Sequence, residues 1–319
     1  MVAISSNSLK SGRDYPGNWT QFLQWFPDDN ACLQFLEHLR WPSGFVCPRC
    51  LKLSKPYHLT RGRMMCPICR YQGTVTAGTL FEKSRTPLTN WFAAAWYITN
   101  EKHGVSALGL QRLLGLGSYQ TAWTMLHRYR RAMVNPSRGK LSGLVEVNET
   151  YVGGADKAKT RAPCAQSKKS IVAIAVEIKK PKGFGRIRLK RIEAATQVQL
   201  HSFIQETIEP GSVVQTDGSS AYHRIYELGY ERNKLVQLGS KEPAHETLVG
   251  VHRVASLLKR WILGTHQGSV GHEHLDSYLD EYAFRFNRRA SNSRGLLFYR
   301  LLEQAVVTPP VSYENIKKR

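Results

Sequence analysis

The sequence predicts a chain in two parts: a basic, largely helical N-terminal half organised around paired cysteines, and a C-terminal α/β half with a mixed sheet. Three observations lead there. Cys47 and Cys50 form one CxxC pair, Cys66 and Cys69 a second, with 15 residues between them. At Leu144 the hydrophobic period changes from helical spacing to strand-like alternation. Between the two regimes runs NPSRGKLSG, whose only large apolar residue is Leu141; the linker is placed at 136–143.

The length of 319 residues allows about two domains, each able to bury a core. Lys and Arg number 45 against 24 Asp and Glu, a net charge of +21 that both halves share: +12 over 1–144 and +9 over 145–319. A field of that sign collects polyanions, nucleic acid foremost. With 42% hydrophobic residues the chain is not disordered, and no apolar run reaches the roughly 20 residues a spanning helix needs. The start, MVAISSNSLKSGRDYPGNW, lacks the apolar centre of a signal peptide, so the expected compartment is the cytoplasm, at the nucleoid. Of six cysteines only Cys32 and Cys164 stand alone, which points to metal ligation rather than a disulfide framework.

Residues 1–40 are read as an N-terminal helical segment. A helix is expected over Pro27–Leu39, with Asp28, Asp29 and Asn30 at its cap and first turn and Cys32, Phe35, Leu36 and Leu39 as its apolar stripe. Residues 41–80 follow as a zinc ribbon. Four thiolates from two knuckles close a tetrahedral structural Zn²⁺ site at Cys47, Cys50, Cys66 and Cys69, and LKLSKPYHLTRGRMM suits a two-stranded ribbon turning at Arg61-Gly62. A redox dithiol would explain one CxxC but not both. His38 and His58 are ordinary polar residues on this reading.

Residues 81–135 have the proportions of a helix-turn-helix. A helix is expected from Leu88 to Asn100, a short one capped by Ser106, a turn at GLGS, and a longer one to about Val134. Ser118, Gln120, Thr121 and Thr124, near the start of the last helix, would face base edges of double-stranded DNA, while Arg128, Arg130 and Arg131 would meet phosphates.

From 144 to 306, LVEVNETYVGG, SIVAIAVEI and GRIRLKRIEA read as three strands, TQVQLHSFIQETI as a helix, and SVVQTDGSSAY as a fourth strand running into a turn. The helix supplies the crossover that a parallel fourth strand requires. This order is that of a ribonuclease-H-like fold, with residues 307–319 left as a basic tail. Asn148 falls mid-strand where that fold places an acid, and Asp217 ends the fourth strand. His252 opens the helix VHRVASLLKRWIL, with Lys259 two turns on along the same face. Such groups can converge on a pair of divalent cations for in-line phosphoryl transfer. Lys259 and Arg260 suit phosphate contacts; His266, His272 and His274 are expected to be solvated or to face DNA. Arg285, Arg288 and Arg289 could bind phosphates, and Tyr278, Tyr282 and Phe286 read as a buried stripe. The basic loop from Tyr151 to Lys169 includes Cys164, to which no function is assigned.

VEVNETYVGG, VVQTDGSSAY, HRVASLLKRWILGTHQG and YLDEYAFRFNRR together resemble the signature blocks of DDE-type insertion-sequence transposases of the ISXO2-like group. The resemblance runs in order from about Phe35 to Val306. It implies a transposase that binds the terminal inverted repeats of its element, cuts there with Mg²⁺ or Mn²⁺ and joins the ends to target DNA, working as a homo-oligomer on DNA and without a membrane. The family pattern of Asp, Asp, then Glu, Asn or His, then Lys falls on Asn148, Asp217, His252 and Lys259. Asn148, Asp217 and His252 would be the ligands of the catalytic cation.

This sequence departs at the first position, where VEVNET replaces VEVDET. Asn keeps a carbonyl ligand but loses a formal charge, and hard cations prefer anionic oxygen. Impaired catalysis is therefore expected. Strand alternation sends Glu149 to the opposite face, while Glu146 shares the face of Asn148 but lies about 7 Å along the strand. The rival readings are an inactive relic or regulator that occupies DNA without cutting it, and a nuclease on the same fold.

Overall fold

A computed structural model describes residues 9–135, 138–153, 169–179, 183–235, 248–268 and 270–318. Cys164 and the centre of its basic loop lie outside them. The chain divides into two units, 1–135 joined by 290–319, and 136–289.

In the first unit, α1 (Trp19–Trp25) is capped by Asn18 and α2 (Asp29–Arg40) by Asp28, whose carboxylate accepts from the Ala31 N–H. The expected stripe of α2 is inside, with Cys32 and Leu36 fully buried. The ribbon has three antiparallel strands, β1 (Tyr57–His58), β2 (Arg63–Met65) and β3 (Gln72–Thr74), one more than the apolar pattern predicts. These strands are two or three residues long, and their order depends on the knuckles around them.

Next come α3 (Leu88–Asn100), α4 (Ala107–Leu114) and α5 (Tyr119–Ala132). Trp91, Phe92, Ala94, Ala95 and Ile98 bury α3 almost all round. Ser106 caps α4 through the Gly109 N–H, and α4 stops at Gly115, whose φ of 60° is the left-handed conformation that glycine adopts without strain. Ser118 caps α5 in turn.

The second unit carries a five-stranded sheet of β4 (Leu144–Val152), β5 (Ser170–Ile178), β6 (Phe184–Ile192), β7 (Val213–Thr216) and β8 (Glu231–Lys234), in the order β6-β5-β4-β7-β8. β4, β5 and β6 are antiparallel neighbours, while β7 lies parallel to β4 and β8 parallel to β7. Three antiparallel strands followed by two parallel ones, with a helical crossover before the fourth, make this a ribonuclease-H-like sheet. That crossover is α6 (Gln197–Thr207), which packs Leu200, Phe203 and Ile204 against Val145, Val147, Ala173, Ala175 and Val214 on one face. The other face holds α7 (Val249–His266) and α8 (Leu275–Asn287), with Val254, Leu258, Tyr278 and Tyr282 over Val172, Ile174 and Val176.

The edge strand β6 is closed by α8. The Asn287 amide accepts from the Ile187 N–H at 2.7 Å and donates to the Ile187 carbonyl at 3.2 Å, standing in for a missing strand. Arg289 donates to the Gly185 carbonyl at 3.1 Å, Arg288 to the Phe284 carbonyl at 3.2 Å, and Arg285 pairs with Glu281 at 3.5 Å. All three arginines thus bond at the end of α8, Arg285 and Arg288 partly buried there and Arg289 exposed.

The ribonuclease-H-like domain expected over 144–306 ends earlier. α9 (Arg294–Ala305) belongs to the first unit, where Phe298 is fully buried among Phe22, Phe26, Phe92 and Trp96 at centroid distances of 5.5–5.9 Å. Gly295 makes that approach possible, since a Cβ there would sit 1.8 Å from the Pro16 carbonyl oxygen. Within the expected basic tail, α10 (Tyr313–Lys317) buries Ile316 and sets Tyr313 against Trp123 of α5.

Candidate active site and metal centre

The metal centre is built by two knuckles of matching backbone. Leu51 N–H bonds to the Cys47 carbonyl at 2.9 Å and Arg70 N–H to the Cys66 carbonyl at 3.0 Å, while Cys47 and Cys66 donate to Lys52 and Tyr71. The four Sγ atoms lie within 4.8 Å of one another, with Cys47 to Cys69 at 3.6 Å and Cys50 to Cys66 at 3.8 Å. Zinc bonded to sulfur at about 2.3 Å in a tetrahedron requires sulfur pairs about 3.8 Å apart, so the set fits Zn²⁺. Burial works against the thiolates, but the N–H groups of Ile68 and Cys69 bring Cys66 down to about 6. Those of Cys50 and Arg49 hold Cys47 below its ordinary value in the same way. His58 bonds to Glu37 at 3.0 Å and His38 is exposed, so neither joins the thiols.

On the sheet, Asn148 lies opposite Ile174 of β5, and Ile174 packs under α7 and α8; Asn148 therefore points to that face. β4 and β7 pair in parallel with Glu146 beside Gln215, and extending that register by two residues puts Asn148 level with Asp217, the residue that follows the end of β7. Asp217 begins a turn in which its Oδ1 accepts from the Ser219 N–H at 2.9 Å. Arg232 of β8 clasps this turn, bonding to the Thr216 hydroxyl at 3.3 Å and to the Asp217 and Ser219 carbonyls at 3.3 and 3.2 Å. His252 sits in the first turn of α7, its Nε2 buried without a hydrogen-bond partner. Lys259 and Arg260 are exposed further along the helix.

The two neighbouring glutamates are committed elsewhere. Glu149 lies on the α6 face and accepts from the Tyr222 hydroxyl at 2.6 Å; burial first, and then this carboxylate, push the phenol's pKa up. Glu146 is 5% exposed and accepts from the Val251 N–H at 3.0 Å. Its charge is raised in pKa by burial and supported by the Val251 and Gly250 N–H groups. Leu248, at the N-cap of α7, offers no side-chain bond, so Glu146 caps the helix from the strand. Gly250 permits this, because a Cβ there would meet Glu146 Oε2 at 2.9 Å and Ile178 Cδ1 at 2.8 Å.

Divalent catalysis requires carboxylates, and here they are short. Among the described residues the four cysteines are the only group of three or more His, Cys, Asp and Glu side chains with ligand atoms mutually within 4.8 Å. Asn148 Oδ1 already accepts from the Glu149 N–H at 2.8 Å. Asp217, one uncharged amide and one neutral imidazole do not fit a pair of dications.

The expected DNA-facing residues of α5 divide. Gln120 is exposed, while the hydroxyls of Ser118 and Thr121 bond to each other at 2.9 Å and Thr124 donates to the Gln120 carbonyl at 2.7 Å. Of the arginines expected to meet phosphates, Arg130 is the one whose burial goes against that role. Arg130 is 1% exposed because it lies four residues after Leu126, inside the apolar stripe. Arg128 is half-buried and reaches the Leu80 carbonyl at 3.3 Å, and Arg131 is partly buried. His266 is not in a solvated loop either: it ends α7 with its ring 4.7 Å from that of Tyr278. His272 bonds to Arg191. Glu146, Tyr222 and Arg232 escape a motif reading because they act through neighbours; only the alternation of β4 hints at Glu146.

A ribonuclease-H-like sheet with an Asn/Asp pair on its central strands, in a chain that also carries a four-cysteine ribbon, has the build of a DDE-type transposase. Residues 140–287 match the ISXO2-like transposase domain and residues 27–72 the transposase zinc-ribbon domain. The chain belongs to the ISXO2-like transposase family. It is 26% identical over 280 residues to an uncharacterized protein in transposable element ISH50 of Halobacterium salinarum, covering 82% of this chain and 92% of that protein. Among solved structures, the catalytic core domain of BIV integrase is similar at 18% identity and a TM-score of 0.33, covering 56% of this chain and 99% of that one. A pre-cleavage Mos1 transpososome follows at 12% identity and 0.28, covering 68% and 77%. At those scores neither bears on the fold, which rests on strand order and family.

Proposed function

We propose that this chain is an insertion-sequence transposase that binds double-stranded DNA at the terminal inverted repeats of its element, and that its strand-cleaving and joining chemistry is impaired. The observation that carries the reading is Asn148, on the face and at the register where the family has an aspartate, beside Asp217. Asp217 is then the remaining core carboxylate, His252 a neutral donor, and Lys259 a phosphate contact with Arg260 beyond it. Mg²⁺ or Mn²⁺ would supply activation of the attacking oxygen and support of the leaving oxygen; the donor set as it stands is one anion short of that task. Ser118, Gln120, Thr121 and Thr124 are the residues proposed to read the repeats. Pairing two ends in one reaction calls for at least a dimer on DNA, and action on the element's own DNA places the protein at the nucleoid.

The test compares wild type with Asn148→Asp on duplexes carrying the element's ends, scoring nicked and joined products in Mg²⁺ and in Mn²⁺. Asn148→Asp is expected to raise cleavage by at least about 100-fold, since even outer partners of a metal ligand cost 10–100-fold when removed. Equal rates would refute the impairment. Binding of the ends without cutting by either protein would favour the regulator, and cut but never joined strands the nuclease.

A further inference from the structure

Asn148 on β4 is level with Asp217 just past the end of β7, but the pairing of the two strands does not reach either residue. Their register runs from Leu144 with Val213 to Glu146 with Gln215 and stops there. A backbone ladder fixes spacing only along its own length. Beyond it, the separation of Asn148 from Asp217 depends on what else joins β4 to the chain after β7. One such link is a side-chain pair: the Tyr222 hydroxyl donates to Glu149 Oε2 at 2.6 Å, the length of a bond to an ionised carboxylate.

Packing does not explain this pair. Tyr222 is fully buried in the α6-side core with Leu200 and Phe203, where a phenylalanine would fill the same volume. Glu149 is partly buried, and drawing a carboxylate out of water is unfavourable. Both ends of the pair are coupled to the site. The Glu149 N–H donates to Asn148 Oδ1 at 2.8 Å. On the other side, Tyr222 closes the turn that Asp217 begins: the Tyr222 N–H bonds to the Ser219 carbonyl at 3.3 Å, and the Ser219 N–H to Asp217 Oδ1 at 2.9 Å. Arg232 holds the Asp217 and Ser219 carbonyls from β8, so a shift at Tyr222 is carried to Asp217.

We propose that Tyr222 and Glu149 are positioning residues, a tie that sets the separation of Asn148 from Asp217 where the strand ladder has ended. The inference rests on the reading of those two positions as the reacting centre and adds the pair that spaces them. Tyr222 acts through the Asp217 turn, and Glu149 through the backbone it shares with Asn148.

The experiment reads the spacing without catalysis. In the zinc-loaded full chain, Asn148→Cys and Asp217→Cys are introduced together, equilibrated across a glutathione series, and the disulfide between them is quantified by mass spectrometry. That bond needs Cα atoms about 4.4–6.8 Å apart, so its effective concentration reports the separation. Adding Tyr222→Phe, which removes only the hydroxyl, is expected to lower the effective concentration about tenfold or more, the weight of one bond to a charged group. Adding Glu149→Gln, which keeps an acceptor, should leave it near the parent value. Adding Tyr222→Phe with Glu149→Met removes both polar ends, so stability should recover while the effective concentration stays low. In a second arm, Asn148→Asp, Tyr222→Phe is expected to cut the element's ends about 10–100-fold more slowly than Asn148→Asp, at unchanged affinity for them. An unchanged disulfide equilibrium in Tyr222→Phe would overturn the inference. Recovery of the disulfide together with stability when both polar ends are removed would assign the pair to folding and overturn it too. No cutting by Asn148→Asp itself would overturn the catalytic reading alone, the disulfide equilibrium still deciding the spacing.

Discussion

Phe298→Ala tests whether the C-terminal helix belongs to the N-terminal unit. The ring is fully buried and lies 5.5 Å from Trp96, 5.6 Å from Phe22, 5.8 Å from Phe26 and 5.9 Å from Phe92. Removing a buried phenyl costs about 3–5 kcal/mol. Edge-on pairs such as those with Phe22 and Phe92 add about 0.5–1.5 kcal/mol beyond area, which lifts this substitution off the bottom of that range to its middle or above. A loss of about 4 kcal/mol is about a thousandfold in the opening equilibrium and a large share of a domain's total stability. Amide hydrogen exchange on the full chain resolves where it falls. Protection of Leu88–Asn100 is expected to drop by about that factor, and of Leu144–Val152 by far less. Equal losses in the two segments, or a loss confined to the strands, would refute the assignment of α9 to the first unit.

Two further outcomes follow from local chemistry. Chelating the zinc should expose the amides of Tyr57–Thr74 while leaving α3 protected, because the short strands of the ribbon have few apolar contacts of their own; unchanged exchange after verified zinc loss would show a ribbon that folds without metal. Burial opposes the Glu177 carboxylate, but the Arg186 guanidinium at 2.6 Å and the N–H groups of Arg186 and Ser142 hold its pKa below the ordinary value. Its folded pKa is therefore lower than its unfolded one, so its contribution is present above the unfolded pKa and fades as pH falls through the folded one. Glu177→Gln should flatten the acid-side loss of protection in Ser170–Ile178 between about pH 5 and pH 3, and an unchanged profile would refute the linkage.

Much of the fold is legible in the sequence, and the particular elements show why. Leu88–Asn100 has the bounds its apolar density predicts, and Ser106, Gly115 and Ser118 mark the ends of α4 and α5 because caps and left-handed turns are local chemistry. β8 is missed because Glu231–Lys234 carries no apolar alternation: it is an edge strand held by backbone bonds to β7 and by Arg232 on the Asp217 turn. The arginines of α5 mislead for a related reason. Charge in a sequence suggests solvent, but Arg130 occupies an apolar position of the helix.

The sequence by itself determined the four-thiol centre, the change of period at Leu144, the succession of strands and helix, and the absent charge at Asn148. Each depends on spacing or on identity at one position. Only the tertiary structure decided that Glu146 caps α7, that Glu149 is taken by Tyr222, and that Phe298 returns the C-terminal helix to the first unit. Those pairings join residues far apart in the chain, where burial and geometry decide which partner a side chain takes.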